Sequence, residues 1–235
     1  MALLRRATDA PERMDAAAVD PAALQSALDH IVAVNRWLGA RRALCRHLDW
    51  ALPGVGGEHR VLDVGTGAGD LAMVIADWAR DRGREVRVAA LDLHPATLAV
   101  ARERTARHRA IQVVRGDGLQ LPFAGGTFDL VHLAMTLHHM DGPNLVGLIR
   151  EAARVARGRV LVAELQRSLP NYLGARLLAA TLWRHNPVTR HDGPLSVLRS
   201  FTPRELLALG TAAGLREPSV HRHPFYRLVL RGGVA

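Results

Sequence analysis

Residues 60–70, Arg60-Val-Leu-Asp-Val-Gly-Thr-Gly-Ala-Gly-Asp70, decide the fold. The apolar run Val61–Val64 leads straight into Gly65, Gly67 and Gly69. A helical pattern follows, with Leu71, Val74, Ile75 and Trp78 at i, i+3, i+4 and i+7. Strand, glycine turn and helix in that order build the nucleotide site of an open parallel sheet. Without Cβ atoms the backbone of such a turn approaches a ligand closely. The dinucleotide fingerprint reads G-x-G-x-x-G. Here the spacing is G-x-G-x-G, and Asp70 stands where the last glycine of that fingerprint would be. A carboxylate opposes a pyrophosphate on the helix N-terminus. The spacing therefore predicts a nucleoside ligand without phosphates.

Outward from this stretch, strands and helices alternate. Strands are predicted at 60–64, 86–92, 111–115, 128–134 and 159–164, with helices near 70–82, 95–107 and 142–156 between them. Alternation of this kind gives right-handed crossovers and a parallel sheet. Upstream, residues 1–20 read as irregular. Asp20-Pro21 starts a helix to about His30, and a second helix runs from about Arg36 to Trp50. Downstream, 170–184 reads as a helix, 185–194 as a polar loop, and Thr202-Pro-Arg-Glu205 as a capping-box start of another helix. Residues 217–231 read as two antiparallel strands turning near His223-Pro224.

The composition excludes several classes. The chain has 235 residues and a formal charge of +9, all of its basic residues being arginine. They are scattered, and four Phe and two Tyr leave few stacking platforms, so nucleic acid is not the expected partner. No apolar run reaches membrane-span length, and Met-Ala-Leu-Leu-Arg-Arg carries no secretory signal. The one cysteine, Cys45, permits neither an internal disulfide nor a Cys-based zinc site. These features point to the cytoplasm. No His and carboxylate cluster with metal-ligand spacing is visible, so no metal is expected.

Three further segments follow the glycine turn: Leu91-Asp92-Leu93-His94-Pro95, Gly116-Asp-Gly-Leu-Gln-Leu-Pro-Phe123, and Phe128-Asp-Leu-Val-His-Leu-Ala-Met-Thr-Leu-His-His-Met140. Together with Asp63, two residues before Gly65, the set resembles the class I S-adenosylmethionine-dependent methyltransferases. The second half adds Ala163-Glu-Leu-Gln-Arg-Ser168, Arg190-His-Asp-Gly-Pro-Leu-Ser196 and Phe201-Thr-Pro-Arg-Glu-Leu. With Glu12-Arg-Met-Asp15 and Val34-Asn-Arg-Trp-Leu-Gly39 these resemble a small-molecule, quinone-biosynthesis-like subgroup often found beside polyketide-type pathways. Ala156-Arg-Gly158 departs from the wider family, where Pro-Gly-Gly usually precedes the fifth strand.

The resemblance implies a doubly wound, mostly parallel seven-stranded α/β sheet, Rossmann-like, over 59–235. An N-terminal helical segment (1–58) and a helical insertion at about 165–200 would form the lid. It implies S-adenosylmethionine as cofactor, held by Asp63, Gly65, Thr66, Gly67 and Gly69, by Asp92 on the ribose, and by Asp117 on the adenine amino group. Leu93 and Leu119 would cover the ring, with Gly118 and Ala134 beside them. Asp92 could instead cap the helix at Pro95, and Asp117 could be a turn residue. The acceptor would be a small, partly apolar aromatic, quinol or polyketide-like molecule, methylated on oxygen. An oxygen nucleophile must lose its proton, and a histidine near neutral pKa suits that task. His139, His138 and His191 are the candidates. The rivals are an RNA methyltransferase and a cofactor-binding regulator without turnover. The oligomeric state, monomer or homodimer, is not legible.

Overall fold

The computed structural model describes residues 4–8, 10–16, 18–54 and 57–234. Helices α1 (Pro21–Trp37) and α2 (Ala40–Ala51) precede an alternating run. That run is β1 (Glu58–Val64), α3 (Asp70–Arg80), β2 (Glu85–Asp92), α4 (Pro95–Thr105), β3 (Ile111–Arg115), β4 (Phe128–Ala134), α5 (Asn144–Val155) and β5 (Ala156–Leu165). After it come α6 (Leu169–Ala180), α7 (Pro187–Arg199), α8 (Pro203–Ala212), β6 (Arg216–His223) and β7 (Arg227–Gly233). The strands form a seven-stranded sheet in the order β3-β2-β1-β4-β5-β7-β6. β1 to β5 are mutually parallel, and β7 runs antiparallel to both of its neighbours, β5 and β6. The expected doubly wound seven-stranded sheet is therefore present.

The central strands are apolar on both sides because both sides are covered. In β1, Val61 joins one layer while Leu62 and Val64 join the other; in β4, Leu130 opposes Val131 and Leu133 in the same way. Leu44 and Leu48 of α2 with Ile75 and Trp78 of α3 pack on the first face. Leu148, Ile149 and Val155 of α5 with Leu206 of α8 pack on the second. Each such fully buried side chain contributes roughly 1.5–3 kcal/mol. From β1 the chain builds β2 and β3 to one side, then returns to place β4 on the other. That reversal opens a crevice at the carboxyl ends of β1 and β4, where ligands bind in sheets of this kind.

Two local expectations fail for identifiable reasons. α1 does not stop near His30 but continues to Trp37, since Ile31-Val-Ala-Val34 contains no helix breaker. The break falls at Leu38-Gly39, where Gly39 takes φ +86° and a Cβ would stand 3.0 Å from the Pro224 carbonyl oxygen. Second, the polar stretch at 185–194 is not a loop. α7 spans Pro187–Arg199, with Asn186 as its N-cap accepting from the Thr189 N–H and Pro194 inside it. Several of its polar residues are buried and partnered. Asp192 accepts from the N–H groups of Arg13 and Met14, Ser196 donates to Glu12, and Arg199 donates to the Ala10 carbonyl. Polarity that reads as solvent exposure is here an internal network. The two N-terminal helices also separate in role, α2 packing on the sheet layer and α1 on α7. β5 starts at Ala156, three residues before the expected position, with a register shift against β4 between Phe128 and Leu130. Among the described residues no helix is long and apolar enough to cross a membrane.

Candidate active site

The carboxyl end of β1 passes into the glycine turn. Gly65 has φ +68°, and a Cβ there would collide with the side chain of Thr136 just beyond β4. The Thr136 hydroxyl donates to the carbonyls of Val64 (3.1 Å) and Ala134 (3.0 Å), tying the ends of β1 and β4 together. Gly67 has φ +55° with nothing within 4 Å of its absent Cβ, so the turn is open at that point. Gly69 backs onto Thr105 of α4 and caps α3.

Asp92 braces this turn. One carboxylate oxygen accepts from the Gly67 N–H and the other from the His94 N–H, both at 3.0 Å. Burial pushes the Asp92 pKa up, opposed by these amide hydrogen bonds. An ionised carboxylate has about four lone-pair sites, so two acceptor positions remain. Asp63 is occupied differently. Its oxygens take His132 Nδ1 (2.7 Å), on the facing residue of β4, and the Thr66 hydroxyl (2.6 Å). Asp63 therefore sets the turn through Thr66, whose N–H bonds the Leu91 carbonyl. Asp70 at the start of α3 accepts from Asn35, and burial raises its pKa.

These residues line a cavity of about 770 Å³, within the usual range for small-molecule sites. Asp63, Gly65, Thr66, Gly67, Asp92, Leu93, Asp117, Gly118 and Ala134 are on its wall, as are His138 and His139. Asp117 is exposed and accepts from the Leu119 N–H, forming a local turn. Three expected wall residues are elsewhere, the first being Gly69, which packs against Thr105 of α4 behind the turn. Leu119 packs against the apolar layer under α5, because the turn at Asp117 directs it inward. His191 faces away from the cavity, with Nδ1 2.7 Å from Asp192, because its helix presents Asp192 and Gly193 instead. The roof is apolar, from Leu28, Ile31 and Val34 of α1, Leu177 and Leu178 around α6, and Trp183.

On the same cavity wall, directly after Thr136, His138 and His139 lie in a single helical turn after β4. Their rings stack at 4.5 Å. His138 Nδ1 is 2.7 Å from Glu164 at the end of β5, and His139 Nδ1 is 2.7 Å from Asp15. The carboxylates only accept, so Nδ1 carries the proton in both rings. Both Nε2 atoms turn toward Glu12, at 3.6 and 3.8 Å from its two oxygens. Burial works against charge on His139, but the hydrogen bond to Asp15 and the fields of Glu12, Asp15 and Glu164 prevail, and its pKa rises to about 9. At neutral pH this imidazole holds its proton, contrary to the expected base of near-neutral pKa.

A methyltransferase-domain family model matches residues 61–158. Among curated proteins, the chain is 29% identical over 185 residues to the demethylmenaquinone methyltransferase of Bacillus licheniformis, covering 74% of this chain and 75% of that protein. It is 34% identical over 113 residues to the ubiquinone/menaquinone biosynthesis C-methyltransferase UbiE of Rhizobium meliloti, covering 46% and 42%. Apart from the first, the relatives compared are matched over less than half their own length. Among solved structures, an Aquifex aeolicus S-adenosylmethionine-dependent methyltransferase superposes with TM-score 0.66 at 18% identity, covering 92% of this chain and all of that one. The O-methyltransferase NcsB1 of neocarzinostatin biosynthesis, solved with S-adenosylhomocysteine and 1,4-dihydroxy-2-naphthoic acid, superposes with TM-score 0.64 at 22% identity, covering 92% and 59%. The family model, these relatives and these structures together support a class I S-adenosylmethionine-dependent methyltransferase.

In this methyltransferase, sequence reasoning missed three cavity residues that matter: Glu12, Asp15 and Arg227. Arg227 is fully buried. Burial lowers its pKa to about 10 against the opposing fields of Glu164 and Asp70, and it donates to the Leu38 carbonyl. No local pattern marks it, since an Arg in an antiparallel strand reads as a surface residue. The glycine turn offers what a nucleoside needs: a backbone open at Gly67, the N-terminus of α3, and a braced carboxylate with free acceptor positions.

Proposed function

We propose that this methyltransferase methylates a small, largely apolar aromatic acceptor of phenol, quinol or polyketide type on a hydroxyl oxygen. The observation that carries the reading is one apolar-roofed cavity whose wall includes both the glycine turn with Asp92 and the His138–His139 pair. At the turn, the backbone of Gly65 and Gly67 and the carboxylates of Asp92 and Asp117 would hold the nucleoside part of S-adenosylmethionine, with Leu93, Gly118 and Ala134 alongside and Gly69 shaping the turn from behind. Asp63 and Thr66 position that turn. When bound, the cofactor supplies a methyl group on a sulfonium, an electrophile.

The protein's own work is alignment and exclusion of water. α1, α6 and α7 roof the acceptor end, and Leu177 and Phe225 on the cavity wall are also exposed, making an apolar rim. Inside, Glu12, His138 and His139 are the polar groups that would meet an acceptor hydroxyl. His139, protonated, donates to the oxygen. The hydroxyl proton leaves through the Glu12 carboxylate as the oxygen takes the methyl carbon.

A second reading, transfer to a ring carbon beside such a hydroxyl, is favoured by the names of the ubiquinone/menaquinone biosynthesis C-methyltransferase relatives. The RNA and regulator alternatives draw no support from these relatives. The test is transfer of labelled methyl to a panel of phenols and quinols that includes 1,4-dihydroxy-2-naphthoic acid, with the product's linkage read by NMR. Methylated product from at least one is expected. No transfer to any of them, by protein that binds S-adenosylhomocysteine, would sink the acceptor assignment.

A further inference from the structure

We infer that Glu12, His138 and His139 form a binding site for a divalent transition-metal ion of the zinc type at the acceptor end of the cavity. Each of the three side chains offers one ligand atom, and these atoms all lie within 4.8 Å of one another. The separations from Glu12 to the two Nε2 atoms, 3.6 and 3.8 Å, are too long for hydrogen bonds. They suit atoms bridged by an ion about 2 Å from each, as in zinc sites with nitrogen and carboxylate ligands. Two imidazoles and one carboxylate are a donor set that divalent transition metals favour.

The surroundings are those of a built site. A metal-bound histidine usually gives its other N–H to a carboxylate or carbonyl, which fixes the ring and its tautomer. Both rings do this, His138 to Glu164 and His139 to Asp15, each at 2.7 Å. Each Nε2 is thereby left as the atom turned to Glu12. Glu12 is held in turn by the Ser196 hydroxyl at 2.9 Å. Glu12 and His138 are almost wholly buried, while His139 reaches the cavity. Three protein ligands leave an open coordination position, as in catalytic rather than structural zinc sites.

The role assigned to the ion rests on the acceptor class of the proposed function but replaces the direct contacts of Glu12 and His139 with the hydroxyl: with those groups as ligands, and the His139 Nε2 proton displaced to solvent, the open position would take the acceptor oxygen as its anion, its proton also passing to solvent. A bound dication lowers the pKa of an oxygen ligand. No oxidation or reduction is involved.

The experiment uses the untagged full chain, stripped with a chelator and titrated with Zn²⁺ by calorimetry, with Co²⁺ as the visible-absorption probe. One Zn²⁺ per chain is expected. Glu12→Gln and His139→Gln should weaken it at least about 100-fold and abolish the Co²⁺ ligand-field bands. Asp15→Asn, a more exposed change that removes only the orienting partner, should weaken it about 10- to 100-fold. This variant keeps the test decisive if the buried changes unfold the chain. Wild-type protein that takes up no stoichiometric Zn²⁺, yet binds S-adenosylhomocysteine, overturns the metal site and leaves the methyltransferase reading standing. Zn²⁺ binding unchanged in Asp15→Asn and His139→Gln places the ion on other histidines among the twelve and likewise overturns it.

Discussion

Asp92→Asn separates two roles that one carboxylate combines. Both Asp92 oxygens accept backbone N–H groups, from Gly67 and His94, at 3.0 Å. An asparagine has one acceptor oxygen, so one of those N–H groups would face an NH₂. A hydrogen bond to a charged group contributes about 1.5–3 kcal/mol. Against this, burial disfavours the Asp92 carboxylate, as its raised pKa records, and the neutral amide removes that cost. The net loss should be about 1–2 kcal/mol of stability, a Tm drop of roughly 2–8 °C for a chain of this size. S-Adenosylhomocysteine affinity should fall by more than this brace alone explains, because the free lone pairs of Asp92 are also the proposed acceptors for the ribose hydroxyls. A loss of at least tenfold, about 1.4 kcal/mol, is expected from titration calorimetry. Gly67→Ala is the control, since it strains the same turn at φ +55° and leaves the carboxylate in place. If Asp92→Asn lowers Tm as calculated but binds S-adenosylhomocysteine within twofold of wild type, Asp92 is a brace only and the ribose assignment is wrong.

Gly65→Ala should destabilise strongly and abolish cofactor binding, because its Cβ meets Thr136. Adding Thr136→Ala should recover part of the stability in thermal unfolding but leave a φ penalty of about 1–2 kcal/mol; a double variant no more stable than Gly65→Ala removes the clash as the cause. NAD should show no calorimetric binding competed by S-adenosylhomocysteine, since Asp70 occupies the start of α3 where a pyrophosphate would sit. His47 has its pKa pushed down to about 4 by burial and by His223 and His221. An unfolded histidine protonates near 6.5, so the unfolded chain binds the extra proton between those values. Stability is thus full above about pH 6.5 and lost as pH falls toward 4, by on the order of 1–3 kcal/mol. His47→Gln should flatten that limb in urea unfolding measured from pH 7 to 4; an unchanged slope assigns it to other groups. Asp192→Asn should loosen residues 12–15 and weaken Zn²⁺ binding while leaving S-adenosylhomocysteine affinity within about twofold, and a large loss of cofactor affinity would contradict that separation.

The sequence made the proposed cofactor half legible because that half is local. β3 and β4 run over the predicted residues, and the capping box at Thr202 and Glu205 is present as read. In each case short-range signals, such as continuous apolar runs, glycine turns and caps, coincide with what the sheet requires. Asp63 is a partial success: its position in the motif was clear, but its partner His132 lies on another strand, and only strand register brings the two together. α7 was misread because hydrophobic periodicity assumes that polar residues face water. Asp192, Ser196 and Arg199 are instead buried against backbone groups and Glu12.

The acceptor half was illegible for the same physical reason that makes it separable. Nothing in the spacing of Glu12 or Asp15 relates them to His138 and His139; contacts made by α7 bring them together. Arg13 and Met14 donate to Asp192, Ser196 holds Glu12, and Arg199 spans the Ala10, His138 and His139 carbonyls while pairing with Asp141. The N-terminal segment, the helical roof and the post-β4 turn are therefore one hydrogen-bonded unit. The glycine turn is held by a different set: Asp92, Asp63, Thr66 and Thr136, all at strand ends. The two sets share a cavity and meet at one backbone bond, from the His139 N–H to the Thr136 carbonyl. Loosening the first should change what the acceptor end can hold before it touches the cofactor end. An enzyme built this way can alter its acceptor by substitution in residues 12–15 and 187–199 without rebuilding the sheet that carries the methyl donor.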